Sequence, residues 1–167
     1  IEPEDIVVDA KGRVYAGSKD GKIWRVFTDG KSEIFANTKG RPLGLAFGKD
    51  GTLYVADALK GVLAVDAKGA IRVLATTYQG KPFSFVDDLD VDDDGTVYFS
   101  DASLLVKASH DLDVRPDILS RVPTGRVFKY DPKTKQVTLL KDQLYFANGV
   151  VLSKDKTFVL VTETGNY

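Results

Sequence analysis

The sequence predicts an all-β chain forming part of a β-propeller, with about 3.5 four-stranded blades. Three observations predict it. A twelve-residue pattern recurs four times without a gap, at Glu4–Tyr15, Leu43–Tyr54, Asp87–Tyr98 and Asn148–Val159. Each copy has two special residues, a short apolar strand, a polar turn and a second apolar strand. A second hairpin follows each of the first three copies, at Lys22–Ala36, Val62–Ala75 and Arg126–Leu140. The copies start about 40 residues apart, the spacing of propeller blades, and the last interval is longer by an insertion.

The first hairpin turns on Gly12, Gly51 and Gly95, where a tight turn needs positive φ. In the fourth copy Lys156 stands at that position, so a looser turn is expected there. The second hairpins turn on Thr28-Asp29-Gly30, Asp66-Ala67-Lys68-Gly69 and Asp131-Pro132-Lys133, which is ordinary turn chemistry. The expected blades run over 4–37, 43–77 and 87–142, with an insertion at 102–124 and a half blade at 148–167. Within the insertion, Leu104, Leu105, Leu112, Ile118 and Leu119 predict a short helix or flap over the channel mouth. Trp24 and Val26 share one face of a third strand and are expected between blades. Propellers remove their edges by closing radially, and three and a half blades do not close. The expected partner is therefore a companion polypeptide completing the ring, or a second copy in a homo-oligomer.

Composition excludes several classes. The 167 residues carry 23 Lys+Arg against 24 Asp+Glu, for a net charge of -1, which offers no basic face for nucleic acid. No apolar run approaches the roughly 20 residues that span a bilayer, so no membrane segment is expected in this chain. With no Cys, disulfides, thiolate metal sites and cysteine nucleophiles are excluded. The one histidine, His110, has no second His for a dyad, and no Gly-x-Ser-x-Gly elbow is present.

In a propeller the first strand of each blade lines the central channel. The first position of the four copies therefore forms one ring of side chains, Glu4, Leu43, Asp87 and Asn148. Three of the four are oxygen donors, which suits a hard cation such as Ca²⁺ with its shell of about 6–8 oxygens. The same residue types also start strands and turns with no ligand at all. A rival calcium pattern, Asp90-Val91-Asp92-Asp93-Asp94-Gly95 with Asp101 at its twelfth position, matches the opening of an EF-hand loop. It is followed by Thr96–Ser100, which reads as strand, and its counterparts in the other copies are plain hairpins.

Longer motifs carry a family resemblance. They are Gly40-Arg41-Pro42-Leu43-Gly44-Leu45, Leu53-Tyr54-Val55-Ala56-Asp57-Ala58 and Gly80-Lys81-Pro82-Phe83-Ser84-Phe85-Val86-Asp87-Asp88-Leu89-Asp90. Val97-Tyr98-Phe99-Ser100-Asp101-Ala102-Ser103, Thr124-Gly125-Arg126-Val127-Phe128-Lys129-Tyr130-Asp131-Pro132 and Ala147-Asn148-Gly149-Val150 continue the series. Collinear over nearly the whole chain, they resemble the strictosidine-synthase-like family. The resemblance implies a six-bladed propeller shared with paraoxonases and gluconolactonases, of which this chain is the N-terminal half. It also implies channel Ca²⁺ ligands at Glu4, Asp87 and Asn148, with Asp87 standing where an Asn is usual. The His-Gly pair of paraoxonase-like lactonases is Leu43-Gly44 here.

The leading functional expectation is a calcium-dependent hydrolase of a small-molecule lactone or ester. Glu4, Asp87 and Asn148 are the expected metal ligands, and Asp88 is the candidate catalytic group, orienting water. A carbon–nitrogen lyase or synthase of the strictosidine synthase type is the first alternative. A non-catalytic binding propeller or a self-assembling half-propeller is the second.

Overall fold

A computed structural model describes residues 3–111 and 113–166. Leu112 of the expected flap and Tyr167 of the expected half blade lie outside the described residues. Three four-stranded antiparallel sheets follow one another in strict sequence order. Blade 1 is β1 (Ile6–Val8), β2 (Val14–Gly17), β3 (Lys22–Val26) and β4 (Ser32–Asn37). Blade 2 is β5 (Pro42–Phe47), β6 (Leu53–Asp57), β7 (Gly61–Val65) and β8 (Ile71–Ala75). A small hairpin, β9 (Thr77–Tyr78) and β10 (Lys81–Pro82), leads into blade 3. That blade comprises β11 (Val86–Val91), β12 (Val97–Asp101), β13 (Gly125–Tyr130) and β14 (Val137–Leu144). Between β12 and β13 the insertion carries one short helix, α1 (Arg115–Ser120). The chain continues into a two-stranded sheet, β15 (Ala147–Leu152) and β16 (Val159–Glu163).

The blades stack face to face, with β1 beside β5, β5 beside β11 and β11 beside β15. Blade 2 is covered on both faces, and β6 and β7 are accordingly buried at every position. Their sequences, LYVAD and GVLAV, are nearly continuous apolar runs because neither face meets water. Between blades 1 and 2 the core is Tyr15, Ile23, Leu45, Leu53, Val55, Leu63 and Val65. Between blades 2 and 3 it includes Ala56, Val62, Leu89, Phe99, Phe128 and Tyr130, with Phe99 stacked on Phe128 at 5.5 Å. Trp24 and Val26 do not enter this core. Alternation along β3 turns Ile23 toward blade 2 and leaves them half-buried on the other face.

The fourth hairpin departs from the ungapped alignment. Leu152 pairs with Val159, whereas its counterparts pair as Phe47 with Leu53 and Val91 with Val97, so this turn holds one extra residue. Lys156 itself takes the left-handed conformation (φ 60) that glycine supplies in the other three copies. The insertion also differs from expectation. Val106, Ala108, Val114 and Ile118 pack down onto Leu43, Phe85 and Phe146, while Leu104, Leu105 and Leu119 face solvent.

In blades 2 and 3 and in the fourth sheet, an acid at the end of the second strand ties the incoming chain to its sheet. Asp57 Oδ1 accepts backbone N–H bonds from Arg41 (2.9 Å), Leu59 (2.9 Å) and Lys60 (3.0 Å). Asp101 Oδ1 accepts those of Ser84 (3.1 Å) and Phe85 (2.6 Å), and its Oδ2 pairs with Arg126. Glu163 Oε2 does the same for Tyr145 N at 2.7 Å. Asp101 is fully buried, so removing it strands both the Arg126 guanidinium and two N–H groups without partners. Asp101→Ala is expected to lower stability by about 3–5 kcal/mol, and Asp101→Asn by less, in urea denaturation. An Asp101→Ala protein as stable as the parent would show that this tie contributes nothing.

Candidate site at the channel mouth

The inner strands of all four sheets converge on one crevice, lined by residues that include Asp5, Leu45, Asp88, Asp90 and Val150. Strands β5, β11 and β15 each carry an irregularity in register, between Pro42 and Leu45, Val86 and Leu89, and Ala147 and Val150. These bulges fall on Leu43-Gly44, Asp87-Asp88 and Asn148-Gly149, the two special positions of the repeat. A bulge lifts a residue out of the ladder, and its freed N–H needs another partner. Hydroxyls supply it: Asp88 N donates to Ser100 Oγ (3.1 Å) and Gly149 N to Thr162 Oγ1 (2.8 Å). Ser100 Oγ in turn donates to the Asn148 carbonyl at 2.8 Å, joining blade 3 to the fourth sheet.

The outward N–H groups of the inner strands are taken by carboxylates of the preceding blade. Asp5 Oδ2 accepts from Leu45 N (2.8 Å), Asp88 Oδ2 from Val150 N (2.7 Å) and Asp90 Oδ2 from Leu152 N (2.8 Å). Across the second repeat position, acid and glycine therefore alternate as Asp5, Gly44, Asp88 and Gly149. A Cβ on Gly44 would collide with Asp88 Oδ1 and its backbone, so only glycine lets blades 2 and 3 approach this closely. The repeat displayed this alternation in sequence. Of these acids, Asp88 is a candidate from the sequence and Asp90 enters only through the EF-hand pattern, while Asp5 goes unnoticed.

Of the expected site residues, Glu4, Asp87 and Asp88 are brought into electrostatic contact. Asp87 is 4% exposed, and among the described residues nothing donates a hydrogen bond to its carboxylate. Burial, then Glu4, then Asp88 push its pKa well above the usual carboxylate range. Glu4 is raised to about 7, first by lost hydration and then by Asp88 and Asp5, with Arg41 opposing. Its side chain stands open at the mouth, so water screens part of this effect. Asp88 rises to about 6 through burial, offset by the N–H groups of Val150 and Leu89. Asn148 sits in the same row of the fourth sheet, its Nδ2 donating to Thr164 Oγ1 at 3.1 Å. Leu43, the fourth ring member, joins Phe85, Phe146 and Val106 in an apolar wall beside the acids.

Arg41 and His110 fasten the insertion to this mouth. Arg41 Nη1 donates to the His110 carbonyl (2.8 Å), and His110 Nδ1 lies 2.9 Å from the Lys19 carbonyl, so Nδ1 carries the proton. The EF-hand pattern is dispersed. Asp92 and Asp94 close an ordinary hairpin turn, Asp90 reaches Leu152, and Asp101 lies at the far end of β12. No three His, Asp or Glu side chains among the described residues converge as a metal-ligand group. Glu4 and Asp87 stand within electrostatic reach of each other, and Asn148 occupies the same repeat position in the fourth sheet. Hard oxygen donors lacking other partners are chemically suited to Ca²⁺, although they fill only part of its shell.

Comparison with known proteins fits this architecture. The strictosidine synthase family model matches residues 87–166, and the N-terminal model of strictosidine synthase-like proteins matches residues 1–26. Protein STRICTOSIDINE SYNTHASE-LIKE 10 of Arabidopsis thaliana is 41% identical, over 97% of this chain and 49% of its own length. Among solved structures, a gluconolactonase from Xanthomonas campestris aligns with TM-score 0.77 at 19% identity, over 93% of this chain and 52% of its own. Virginiamycin B lyase from Staphylococcus aureus aligns with TM-score 0.66 at 16% identity, over 96% of this chain and 48% of its own. The chain spans about half the length of the curated relatives it matches. The two structural likenesses bear on fold alone, and they support a partial β-propeller. With matches at both ends and one relative aligned along nearly all of it, the chain belongs to the strictosidine synthase-like family.

Proposed function

We propose that the protein is a hydrolase of a lactone or ester, with a Ca²⁺ site at the channel mouth to which this chain contributes Glu4, Asp87 and Asn148. One observation carries the reading. A buried carboxylate, Asp87, lies beside a second, Glu4, without a hydrogen-bond donor to offset their repulsion. Such a pair costs stability unless a positive charge occupies the space between the groups. The Asn148 amide nitrogen is engaged by Thr164, which leaves its oxygen as the donor for a cation. A Ca²⁺ ion bound there would supply Lewis acidity that polarises a carbonyl oxygen.

The remaining roles fall to the chain's own side chains. Asp88, with its pKa raised to about 6, is largely ionised at neutral pH and orients water toward the substrate, while its Oδ2 holds the fourth sheet in place. Leu43, Phe85 and Phe146, packed beneath the insertion, form an apolar backing that keeps bulk water from the acids on that side. Arg41, tied to the insertion at His110, tempers the charge on Glu4 from the blade 2 side.

Two measurements test this. A carboxyl with raised pKa holds its proton in the folded state more firmly than in the unfolded one, so stability falls as pH rises between the two pKa values. Glu4 and Asp88, shifted up to about 7 and about 6, place that loss between about pH 4 and pH 7. In chelator, Tm is therefore expected to decline across this range. Asp87→Asn should raise Tm at pH 7.5 and abolish the further rise that CaCl₂ gives the parent. A calcium-dependent rise that survives Asp87→Asn would exclude Asp87 as a ligand. For activity, hydrolysis of aryl esters and lactones by the whole protein should cease in chelator and return with Ca²⁺. Asp87→Ala should lower it by about 100-fold or more. Turnover indifferent to chelator would dismiss the calcium mechanism.

A further inference from the structure

A second cavity lies at the opposite end of the inner strands, and it does not depend on the cation reading. Between the bases of blades 1 and 2 a crevice of about 360 Å³ opens, a volume typical of small-molecule sites. Tyr15, Phe35 and Phe47 form its floor. The Tyr15 ring meets the other two edge-on, at 5.2 and 5.1 Å, so the floor is a rigid aromatic surface. Opposite, the turn residues Gly51 and Ala67 are small; a Cβ placed on Gly51 would touch nothing within 4 Å.

The rim is basic. Lys11, Arg13 and Lys49 line it, against a single carboxylate, Asp9. Asp9 is already engaged: its Oδ1 accepts the N–H groups of Lys11 (2.9 Å) and Arg13 (3.0 Å), and its Oδ2 binds Arg13 Nε at 2.6 Å. Lys49 reaches Asp93 of blade 3 at 3.1 Å from an exposed position, and such a pair is readily exchanged. No carboxylate among the described residues pairs with Lys11. The repeat supplies an internal comparison. The corresponding crevice between blades 2 and 3 is lined by Tyr54 with four carboxylates, Asp50, Asp92, Asp93 and Asp94, against one cation, Lys49, which stands on the wall between the two crevices. Where blade 1 has Lys11 in its turn, blades 2 and 3 have Asp50 and Asp94. The two crevices share a backbone plan and differ in sign of charge.

We infer that the crevice between blades 1 and 2 binds a small monoanion with an apolar body, an aromatic carboxylate. Its ring lies against Tyr15, Phe35 and Phe47, and its carboxylate is directed to Lys11 and Lys49. The acidic crevice next to it repels the same ligand.

Titration of the ¹⁵N-labelled protein with 2-naphthoate, followed by NMR, tests the site. Saturable shifts are expected at the amides of Gly12, Gly51 and Ala67, with Gly95 of the acidic crevice unmoved. The neutral analogue 2-naphthamide should bind about tenfold more weakly, as should 2-naphthoate to the Lys11→Glu/Lys49→Glu variant. Ala67→Trp, a change at an exposed turn, should block binding by filling the space. Absence of saturation, shifts centred elsewhere, equal affinity for the amide, or binding unaffected by both variants would each overturn the assignment.

Discussion

The close approach of the inner strands governs this molecule. Each inner strand is the edge of its own sheet, and an edge strand leaves N–H groups without ladder partners. Here they are taken across the blade boundary by carboxylates, Asp5 for Leu45, Asp88 for Val150 and Asp90 for Leu152. These bonds join blade 1 to blade 2 and blade 3 to the fourth sheet; at the boundary between blades 2 and 3 the close approach is made instead by Gly44, which faces Asp88 without a side chain. Acid and glycine are thus two halves of one device, and the radial arrangement depends on both.

That device concentrates negative charge where the blades meet. Asp5, Asp88 and Asp90 are compensated in part by the N–H groups they accept. Asp87, one residue from a strut, has no such compensation, and Glu4 lies within electrostatic reach. Adjacent positions on a single bulge therefore do different work: Asp88 joins sheets, and Asp87 remains a buried carboxylate with donor capacity unused. The apolar wall of Leu43, Phe85 and Phe146, closed over by the insertion, sharpens the contrast by keeping the mouth partly dry. Charge set against an apolar wall is a physical basis for binding a polarised small molecule.

The sheet order was legible because hairpin periodicity and turn glycines are local properties. The strands of the first three sheets follow the predicted hairpins. The fourth hairpin was misaligned by a residue beyond its turn, since Lys156 can adopt the left-handed conformation and the extra residue left no mark on the apolar pattern. In the insertion, leucine content pointed to Leu104, Leu105 and Leu119 as the covering residues. Of the residues named there, Ile118 does cover, joined by Val106 and Val114, because a loop of this kind has no period from which facing can be read. Asp57 and Asp101 stand in the sequence within family motifs, yet their role, like that of Glu163, requires the preceding connector to fold back against the strand end.

The amino-acid sequence by itself determined the four-fold recurrence of the inner hairpin, the row of Glu4, Leu43, Asp87 and Asn148, and the alternation of acid with glycine beside it. All are one-dimensional patterns, and strand geometry converts them directly into rows and faces. Tertiary structure decided which acids are struts and which is left uncompensated, because that depends on whether an N–H from another blade arrives within hydrogen-bonding distance. It likewise decided that Leu43 belongs to the apolar wall, and that one crevice at the base is basic while its neighbour is acidic. Those outcomes come from residues about 40 to 60 positions apart meeting in space, and no local pattern encodes such a meeting.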